Sequence, residues 1–167
     1  QVEDRLIPRA VIFGEIEKQN LKISPNAKYL SYLAPDANKV TQIWCAELQQ
    51  LEQKRNFDLE KSIQLTEGKN SISRYQWCFD NKHLLFLRDN DGDQNFHLYA
   101  VDRLTKEQKD LTAFDGVHCE IVALSPRFPN EVLVAINKRD KNKHDVYTIQ
   151  IDSGKVSLNT ANPGNVD

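Results

Sequence analysis

The chain has 167 residues, of which 40% are hydrophobic and 28% are charged, and its net charge at pH 7 is −2. With 22 basic and 24 acidic residues it has no overall field that attracts nucleic acid or an anionic membrane, so we expect neither as a partner. Its apolar runs are only a few residues long and do not predict a transmembrane helix. The length suits one ordinary domain with its own core.

Residues 1–22 form a lead-in, which begins at Gln1. The chain contains no methionine, so we interpret it as a processed protein or as a piece of a longer one. A turn follows at Ser24-Pro25-Asn26, where the proline ring fixes φ. Strands are then predicted at 29–34, 43–48 and 62–65. The segment 47–61 has irregular apolar spacing and is interpreted as an enlarged loop with room for a helical turn.

The most regular part of the sequence is the stretch 75–116. Its apolar runs, three clear and one weaker, lie at 75–79, 83–88, 96–102 and 109–111. Asp, Asn, Gly or charged residues separate the runs, which is typical of a four-stranded antiparallel meander. A similar unit begins at His118, with a turn at 125–130. Its strands are predicted at 120–124, 132–136, 146–151 and 156–158.

The three units align with one another. Trp44, Tyr99 and Tyr147 occupy equivalent places, Leu65-Thr66 aligns with Leu111-Thr112, and Ser24-Pro25 recurs as Ser125-Pro126. A period of about 50 residues with four strands per repeat is the signature of a β-propeller, whose blades bury their faces by stacking on their neighbours. We therefore predict an all-β fold, a partial β-propeller at 23–167. Its three four-stranded antiparallel blades are 23–70, 71–116 and 117–164. A β-sandwich is the alternative architecture.

Three cysteines, Cys45, Cys78 and Cys119, each lie in or beside an apolar run. An odd number of widely spaced cysteines argues against both a disulfide framework and a zinc site. We expect buried, reduced thiols. Reduced thiols favour a cytoplasmic location, and the periplasm is the alternative because the native N-terminus is not visible.

Catalytic signatures are missing from the sequence. No G-x-S-x-G pentapeptide, the turn that exposes the nucleophile of an α/β-hydrolase, occurs in the chain. Ser24 and Ser125 each precede a proline in a turn, where we expect them to be structural. The four histidines are spread along the chain without ligand spacing, although neighbouring blades could bring two of them together. We assign no catalytic, cofactor-binding or metal-binding residue.

Two charged loops are candidate binding sites. The carboxylates of Asp89, Asp91 and Asp93 could converge on Ca²⁺, but Gln94 and Ala100 stand where an EF-hand needs Gly and Glu. A hairpin connection is the preferred interpretation, with a weak Ca²⁺ site as the alternative. The basic run 138–144 lies at the equivalent place one repeat later and is interpreted as a solvated hairpin tip, with a phosphate or acidic-partner contact as the alternative. The repeated aromatics Trp44, Trp77, Tyr99 and Tyr147 are expected to pack in the core.

Several segments taken together resemble the N-terminal propeller of bacterial prolyl oligopeptidase family serine peptidases, the acylaminoacyl-peptidase-like and dipeptidyl-peptidase-like members. Their repeats are similar to those of TolB-type propellers. The segments are Ile7-Pro8-Arg9 and residues 24–30, 89–99, 123–126, 137–140 and 162–166. Two departures concern loop geometry: Asn26-Ala27 replaces the usual Asp-Gly, and 47–61 is longer than the matching loop.

The resemblance implies a function that depends on residues outside this chain. In that family a propeller of about seven blades covers an α/β-hydrolase domain and filters access to its active site. The chain would then be the first part of such a propeller, with the hydrolase domain of the same parent and peptide substrates as partners. Strands near Ile23, 75–79 and 120–124 would line the channel. The alternative is a non-catalytic interaction module that self-associates through exposed blade edges.

Overall fold

The structure, a computed structural model, describes residues 18–51, 54–57, 61–89 and 95–164. These residues form antiparallel β-strands and no α-helix. The first sheet contains β1 (Gln19–Ile23), β2 (Tyr29–Pro35), β3 (Thr41–Leu51), β4 (Lys54–Phe57) and β5 (Ile63–Gln64). The second contains β6 (Tyr75–Trp77), β7 (His83–Asp89), β8 (Phe96–Asp102) and β9 (Gln108–Asp110). The third contains β10 (Cys119–Ser125), β11 (Phe128–Asp140), β12 (Lys143–Gln150) and β13 (Val156–Thr160).

Each sheet is a meander in which neighbouring strands follow one another along the chain. The orders are β6-β7-β8-β9 in the second sheet and β10-β11-β12-β13 in the third. In the first sheet the four blade strands are β1-β2-β3-β5, and β4 is an additional strand that pairs with the far end of β3. The predicted all-β architecture of three four-stranded antiparallel units is confirmed. In the described ranges, no helix is both long and apolar enough to cross a membrane.

The segment 47–61 differs from its prediction as an enlarged loop. Strand β3 continues through it to Leu51 and pairs with β4, so that Leu48 faces Phe57 and Gln50 faces Arg55. The physical reason is that a two-stranded extension satisfies its backbone groups by cross-strand hydrogen bonds, which need no apolar periodicity. The two residues at the turn, 52–53, lie outside the described part of the chain.

Two strand boundaries also differ from the prediction. The turn expected at 125–130 is shorter, because Phe128 already pairs with Ser125. Proline at the start of a strand is tolerated, so Pro129 does not prevent β11 from beginning there. Strand β1 begins within the predicted lead-in, at Gln19, and pairs with β2 through Ile23 and Leu30. The rest of the lead-in, 1–17, lies outside the described residues.

Two apolar cores lie between the sheets, one on each face of the middle sheet. On β7, Leu84 and Phe86 pack with Leu33 and Ile43 of the first sheet. Leu85, between them in sequence, packs instead with Val134 and other residues of the third sheet. Successive strand residues point to opposite faces, so an unbroken apolar run is what a strand buried on both faces requires. The sheets are therefore stacked side by side like blades.

The aligned Leu-Thr pairs of the repeats make equivalent hydrogen bonds in two blades. The N–H of Leu65 donates to the carbonyl of Ile43 at 2.8 Å, and Thr66 Oγ1 accepts from the N–H of Ile43 at 2.9 Å. One blade later, Leu111 and Thr112 make the equivalent bonds to Leu98, at 2.8 and 2.9 Å. All four side chains are buried. The pair thus ends each blade by covering the core and satisfying buried backbone groups.

The first turn shows what replacing the family's Asp-Gly entails. Ser24 Oγ donates to Asn26 Oδ1 at 2.7 Å and accepts from the N–H of Tyr29 at 3.0 Å. Ala27 has a φ of 56°, in the left-handed region where a Cβ is unfavourable. The turn is still closed by its hydrogen bonds, so the replacement of Asp-Gly by Asn26-Ala27 introduces backbone strain at Ala27 without opening the turn.

We predict that Ala27→Gly raises the free energy of unfolding by about 0.5–1 kcal/mol, because glycine relieves the left-handed strain at a small entropic cost. Urea denaturation monitored by tryptophan fluorescence measures it. The matched control is Ala123→Gly on β10, an exposed strand position where glycine should lower stability by about 0.5–1 kcal/mol. A loss of stability in both variants contradicts the prediction.

Candidate functional site: the groove along the first strands

The first strands of the three sheets border a common cavity. It has a volume of about 800 Å³ and receives Asn20 and Lys22 from β1, residues 73–76 from the start of β6, and residues 119–121 from β10. Leu87, Phe96 and His118 complete its lining. The predicted placement of Ile23, 75–79 and 120–124 beside a channel agrees with this groove only in part, because β1 contributes Asn20 and Lys22. Ile23 itself is 58% exposed.

One wall of the groove is held by a buried hydrogen-bond network. Tyr75 Oη donates to the carbonyl of Asn20 at 2.7 Å and lies 2.9 Å from Ser31 Oγ. Trp77 Nε1 donates to the same Ser31 Oγ at 2.8 Å. Burial raises the pKa of Tyr75, so its hydroxyl stays a donor at neutral pH. These bonds join the first and second sheets and fix the position of β1 beside β6.

The charges along the groove are unequal. Lys22 and Arg74 supply two cations, and the Nζ of Lys22 lies 5.7 Å from the centre of the Tyr75 ring. Among the described residues of the lining, Glu120 is the one carboxylate, and its Oε1 lies 3.7 Å from His118 Nε2. The groove therefore offers cations on the first and second sheets and a carboxylate on the third.

The serines singled out in the sequence are structural. Ser24 closes the first turn as described above, and Ser125 Oγ accepts from the N–H of Arg127 at 3.2 Å. Each serine hydroxyl therefore accepts a hydrogen bond from a backbone N–H group of its turn, which agrees with the structural role expected for both serines.

Two histidines pair closely with aspartates. His83 Nδ1 lies 2.6 Å from Asp80 Oδ2, and its other ring nitrogen faces Asp152 Oδ1 at 3.8 Å. Burial opposes ionisation of Asp80, but hydrogen bonds from His83 and from neighbouring backbone N–H groups outweigh it and lower the pKa. His97 Nδ1 lies 2.8 Å from Asp110 Oδ2. A general base for acyl transfer needs a hydroxyl or thiol nucleophile on its second nitrogen, and His83 has a carboxylate there instead.

The other two histidines come together, as the sequence left open. The rings of His118 and His144 meet edge to face with centroids 5.8 Å apart, and Phe96 lies 5.8 Å from His118. Within the described residues, no group of three His, Cys, Asp or Glu side chains could hold a metal ion.

Most of the acidic loop at 89–95 lies outside the described residues, including Asp91 and Asp93. Asp89 is described at the end of β7, where its carboxylate accepts from Asn70 Nδ2 at 3.1 Å. The hairpin interpretation and the Ca²⁺ alternative both stay predictions.

The side chains of the basic run 138–144 make more contacts with the protein than those of a solvated hairpin tip would. Lys138 Nζ lies 3.7 Å from the centre of the Phe114 ring, and Lys141 Nζ donates to the carbonyls of Asp115 and Gly116. Arg139 forms a two-pronged ion pair with Asp145, at 2.8 and 2.9 Å. The run thus attaches the third sheet to the loop that precedes it, which leaves fewer cations for a phosphate or an acidic partner.

Three buried polar residues were not predicted from the sequence. Gln42, His97 and Asp145 each stand two residues before the aligned aromatic of the third strand, and all three are buried. Gln42 Oε1 accepts from Thr66 Oγ1 at 2.9 Å and from Arg88 Nη2 at 3.1 Å. Their residue types differ, so only the shared offset from the aromatic could have revealed them.

The repeated aromatics and the cysteines lie where they were expected. Trp77 and Tyr147 are buried, while Trp44 and Tyr99 are half-buried within their sheets. The three cysteines are buried and unpaired. Burial raises the pKa of Cys45 and of Cys119 to about 11 and raises that of Cys78 further, so the thiols stay protonated and unreactive at neutral pH.

Two curated peptidases are similar to nearly the whole chain. Dipeptidyl aminopeptidase BIII of Pseudoxanthomonas mexicana is 37% identical over 153 residues, which cover 92% of this chain and 21% of that protein. Dipeptidyl peptidase family member 6 of Caenorhabditis elegans is 25% identical over 160 residues, or 92% of this chain and 20% of that protein. The chain therefore spans about a fifth of the length of these relatives. No protein-family model matches it.

Solved structures show the same fold at low sequence identity. A puromycin hydrolase matches with a TM-score of 0.59 and 17% identity over 87% of this chain and 22% of its own. The β-propeller domain of the Trilobed protease from Pyrococcus furiosus matches at 0.56 and 20%, over 85% and 43%. A putative TolB from Agrobacterium tumefaciens matches at 0.54 and 16%, over 81% and 46%. The partial propeller is confirmed, and so is the resemblance to peptidase and TolB-type propellers.

Proposed function

We propose that the chain is the N-terminal part of the propeller of a prolyl oligopeptidase-like serine peptidase, and that it gates peptide access to an α/β-hydrolase domain outside these residues. The observation that carries the proposal is the similarity of nearly the whole chain to about a fifth of a dipeptidyl aminopeptidase. The groove along the first strands supports the gating role, because the first strand of each blade borders the centre of a propeller.

Two features of the chain indicate that the catalytic nucleophile lies outside these residues. The serines in the turns are bonded to backbone groups, and the thiols are buried with raised pKa values. A fluorophosphonate probe should therefore leave the 167-residue chain unlabelled and should label the full-length gene product at one serine. Labelling of the short chain, or a reading frame that ends at Asp167, would overturn the proposal.

Gating is tested in the full-length product by narrowing the groove. Gln76 is exposed on β6 and lines the cavity. We expect Gln76→Trp to lower kcat/KM for a ten-residue peptide by about tenfold (about 1.4 kcal/mol) and to leave a dipeptidyl chromogenic substrate nearly unchanged. The control is Ser157→Trp, on the exposed strand β13. Equal effects on both substrates would reject gating.

A second candidate, an interaction module that self-associates, is favoured by the exposed apolar side chains. Apart from Leu104 in a loop, the large hydrophobic residues exposed in the described chain lie on the first and third sheets. They are Leu21, Ile23, Ile63, Val122, Phe128 and Leu158. Both outer sheets thus have surface that a further blade or a second copy could cover. Light scattering of the 167-residue chain decides this, because a monomer at high concentration rejects self-association.

We also propose a cytoplasmic location. The three buried, unpaired cysteines support it, because a reducing compartment keeps thiols free. Fractionation of cells that express the tagged gene product tests the proposal, and recovery in the periplasm would reject it.

A further inference from the structure

We propose that the groove binds the carboxylate of a peptide through Arg74 and Lys22. The inference names a ligand for the proposed gate and in that sense rests on the proposed function. Its starting point is an imbalance of charge: the part of the lining that the structure describes contains two cations and one carboxylate. That carboxylate, Glu120, lies on the third sheet beside His118, whereas Lys22 lies on β1 of the first sheet and Arg74 directly precedes β6 of the second.

Neither cation is neutralised within the described residues. No carboxylate oxygen there lies within 4 Å of Arg74 or Lys22, whereas Lys82 pairs with Asp102 at 3.1 Å and Arg139 pairs with Asp145 at 2.8 Å. Arg74 is exposed, and its side chain donates no hydrogen bond to another described residue, so its N–H groups are open to solvent and to a ligand. A guanidinium presents two parallel N–H groups, which match the two oxygens of a carboxylate.

The backbone that carries the two cations is braced. Asn20 Nδ2 donates to the carbonyl of Ser73 at 3.1 Å, which ties β1 to the residue before Arg74. Tyr75, the residue after Arg74, is bonded to the carbonyl of Asn20, and Lys22 Nζ lies over its ring. Less ordering is therefore needed when an anion binds, which favours affinity.

The rest of the lining indicates a peptide as the carrier of the carboxylate. Leu87, Phe96 and Ile121 supply apolar wall, and the cavity of about 800 Å³ accommodates a few residues. Inorganic phosphate would contact the two cations and would leave the apolar wall unoccupied. Nucleic acid needs a continuous basic track with stacking aromatics, and two cations do not form one. The carboxylate is the C-terminal group of a peptide or an Asp or Glu side chain.

Three acetylated peptides separate these sources by calorimetric titration of the 167-residue chain at low ionic strength. They are Leu-Ala-Phe with a free C-terminus, the same peptide with a C-terminal amide, and Glu-Ala-Phe amide. We expect the free acid to bind at least about tenfold more tightly than its amide. Binding of the glutamate peptide at the level of the acid extends the site to side-chain carboxylates, and binding at the level of the amide restricts it to C-termini.

The variants that test the residues are R74Q and K22Q, both at exposed positions where folding should be unaffected. R74Q should lower the affinity for the acid by about tenfold and leave the amide unchanged, and K22Q should have a smaller effect in the same direction. The matched control is K28Q, an exposed lysine outside the groove. Equal binding of acid and amide, no binding at all, or wild-type affinity in R74Q would overturn the inference. None of these outcomes changes the result of the fluorophosphonate or reading-frame test, so failure of the inference can be distinguished from failure of the proposed function.

Discussion

Replacing Phe86 with alanine is expected to lower the free energy of unfolding by about 3–5 kcal/mol, and Leu85→Ala by about 2–5 kcal/mol. Both side chains are 0% exposed, but they belong to different cores. Phe86 packs toward the first sheet, with its ring 5.4 Å from that of Tyr99, and Leu85 packs toward the third sheet. Either loss is a large part of the stability of an ordinary domain.

The two losses together test the stacked-blade arrangement. In a β-sandwich each sheet has one buried face, so of two successive strand residues only one should be costly. The matched control is Phe128→Ala, since this phenylalanine is 53% exposed and should cost well under half as much. Urea denaturation followed by tryptophan fluorescence measures the three variants. A small effect of either Leu85→Ala or Phe86→Ala would contradict the burial of both faces of β7.

Acid should weaken the fold through Asp145. The hydrogen bonds from Arg139, and then the one from the N–H of Asn162 at 2.7 Å, lower the pKa of this buried carboxyl to about 2. An aspartate in the unfolded chain has a pKa of about 3.9. The folded form is the stronger acid, so the stabilisation is complete above about pH 4 and is lost as the pH falls toward 2.

The variant Asp145→Asn removes this pH dependence. At pH 7 it should lower the Tm by about 5 °C, because Arg139 loses its buried partner. As the pH falls to 2 the Tm difference should shrink to a small part of its value at pH 7, since about half of the Asp145 carboxyls are then protonated in the folded chain. Thermal denaturation at pH 7, 4 and 2 measures the difference, with Asp115→Asn at an exposed loop position as control. A Tm difference that is the same at all three pH values would contradict the assignment.

The strands of the middle blade were predictable from the sequence to within a few residues. The predicted run 83–88 became His83–Asp89, and 96–102 became Phe96–Asp102. These strands are buried on both faces, so their apolar runs are unbroken and end at turn formers. The hairpin of β3 and β4 was missed because its polar residues have no periodicity. Its existence depends on pairing between two segments, which no single-strand pattern records.

The position of the candidate site agrees with the prediction only in part, and its chemistry was not predicted. The first strands of the repeats were expected to border a channel, and the groove lies along them. Lys22 and Arg74 were not singled out, because two isolated basic residues 52 positions apart in the chain look like any solvated surface cations. Only the stacking of the first and second sheets places them in one lining.

The sequence by itself determined the all-β class, the three repeats and their aromatic and Leu-Thr positions, because those features record which residues of a strand are buried and where the backbone reverses. The tertiary structure alone decided the pairing of the buried residues Arg88 and Gln42 and the charge balance of the groove among the described residues. The physical reason is range: strand patterns come from neighbours along the chain, whereas the bond between Arg88 and Gln42 joins two blades across the stack.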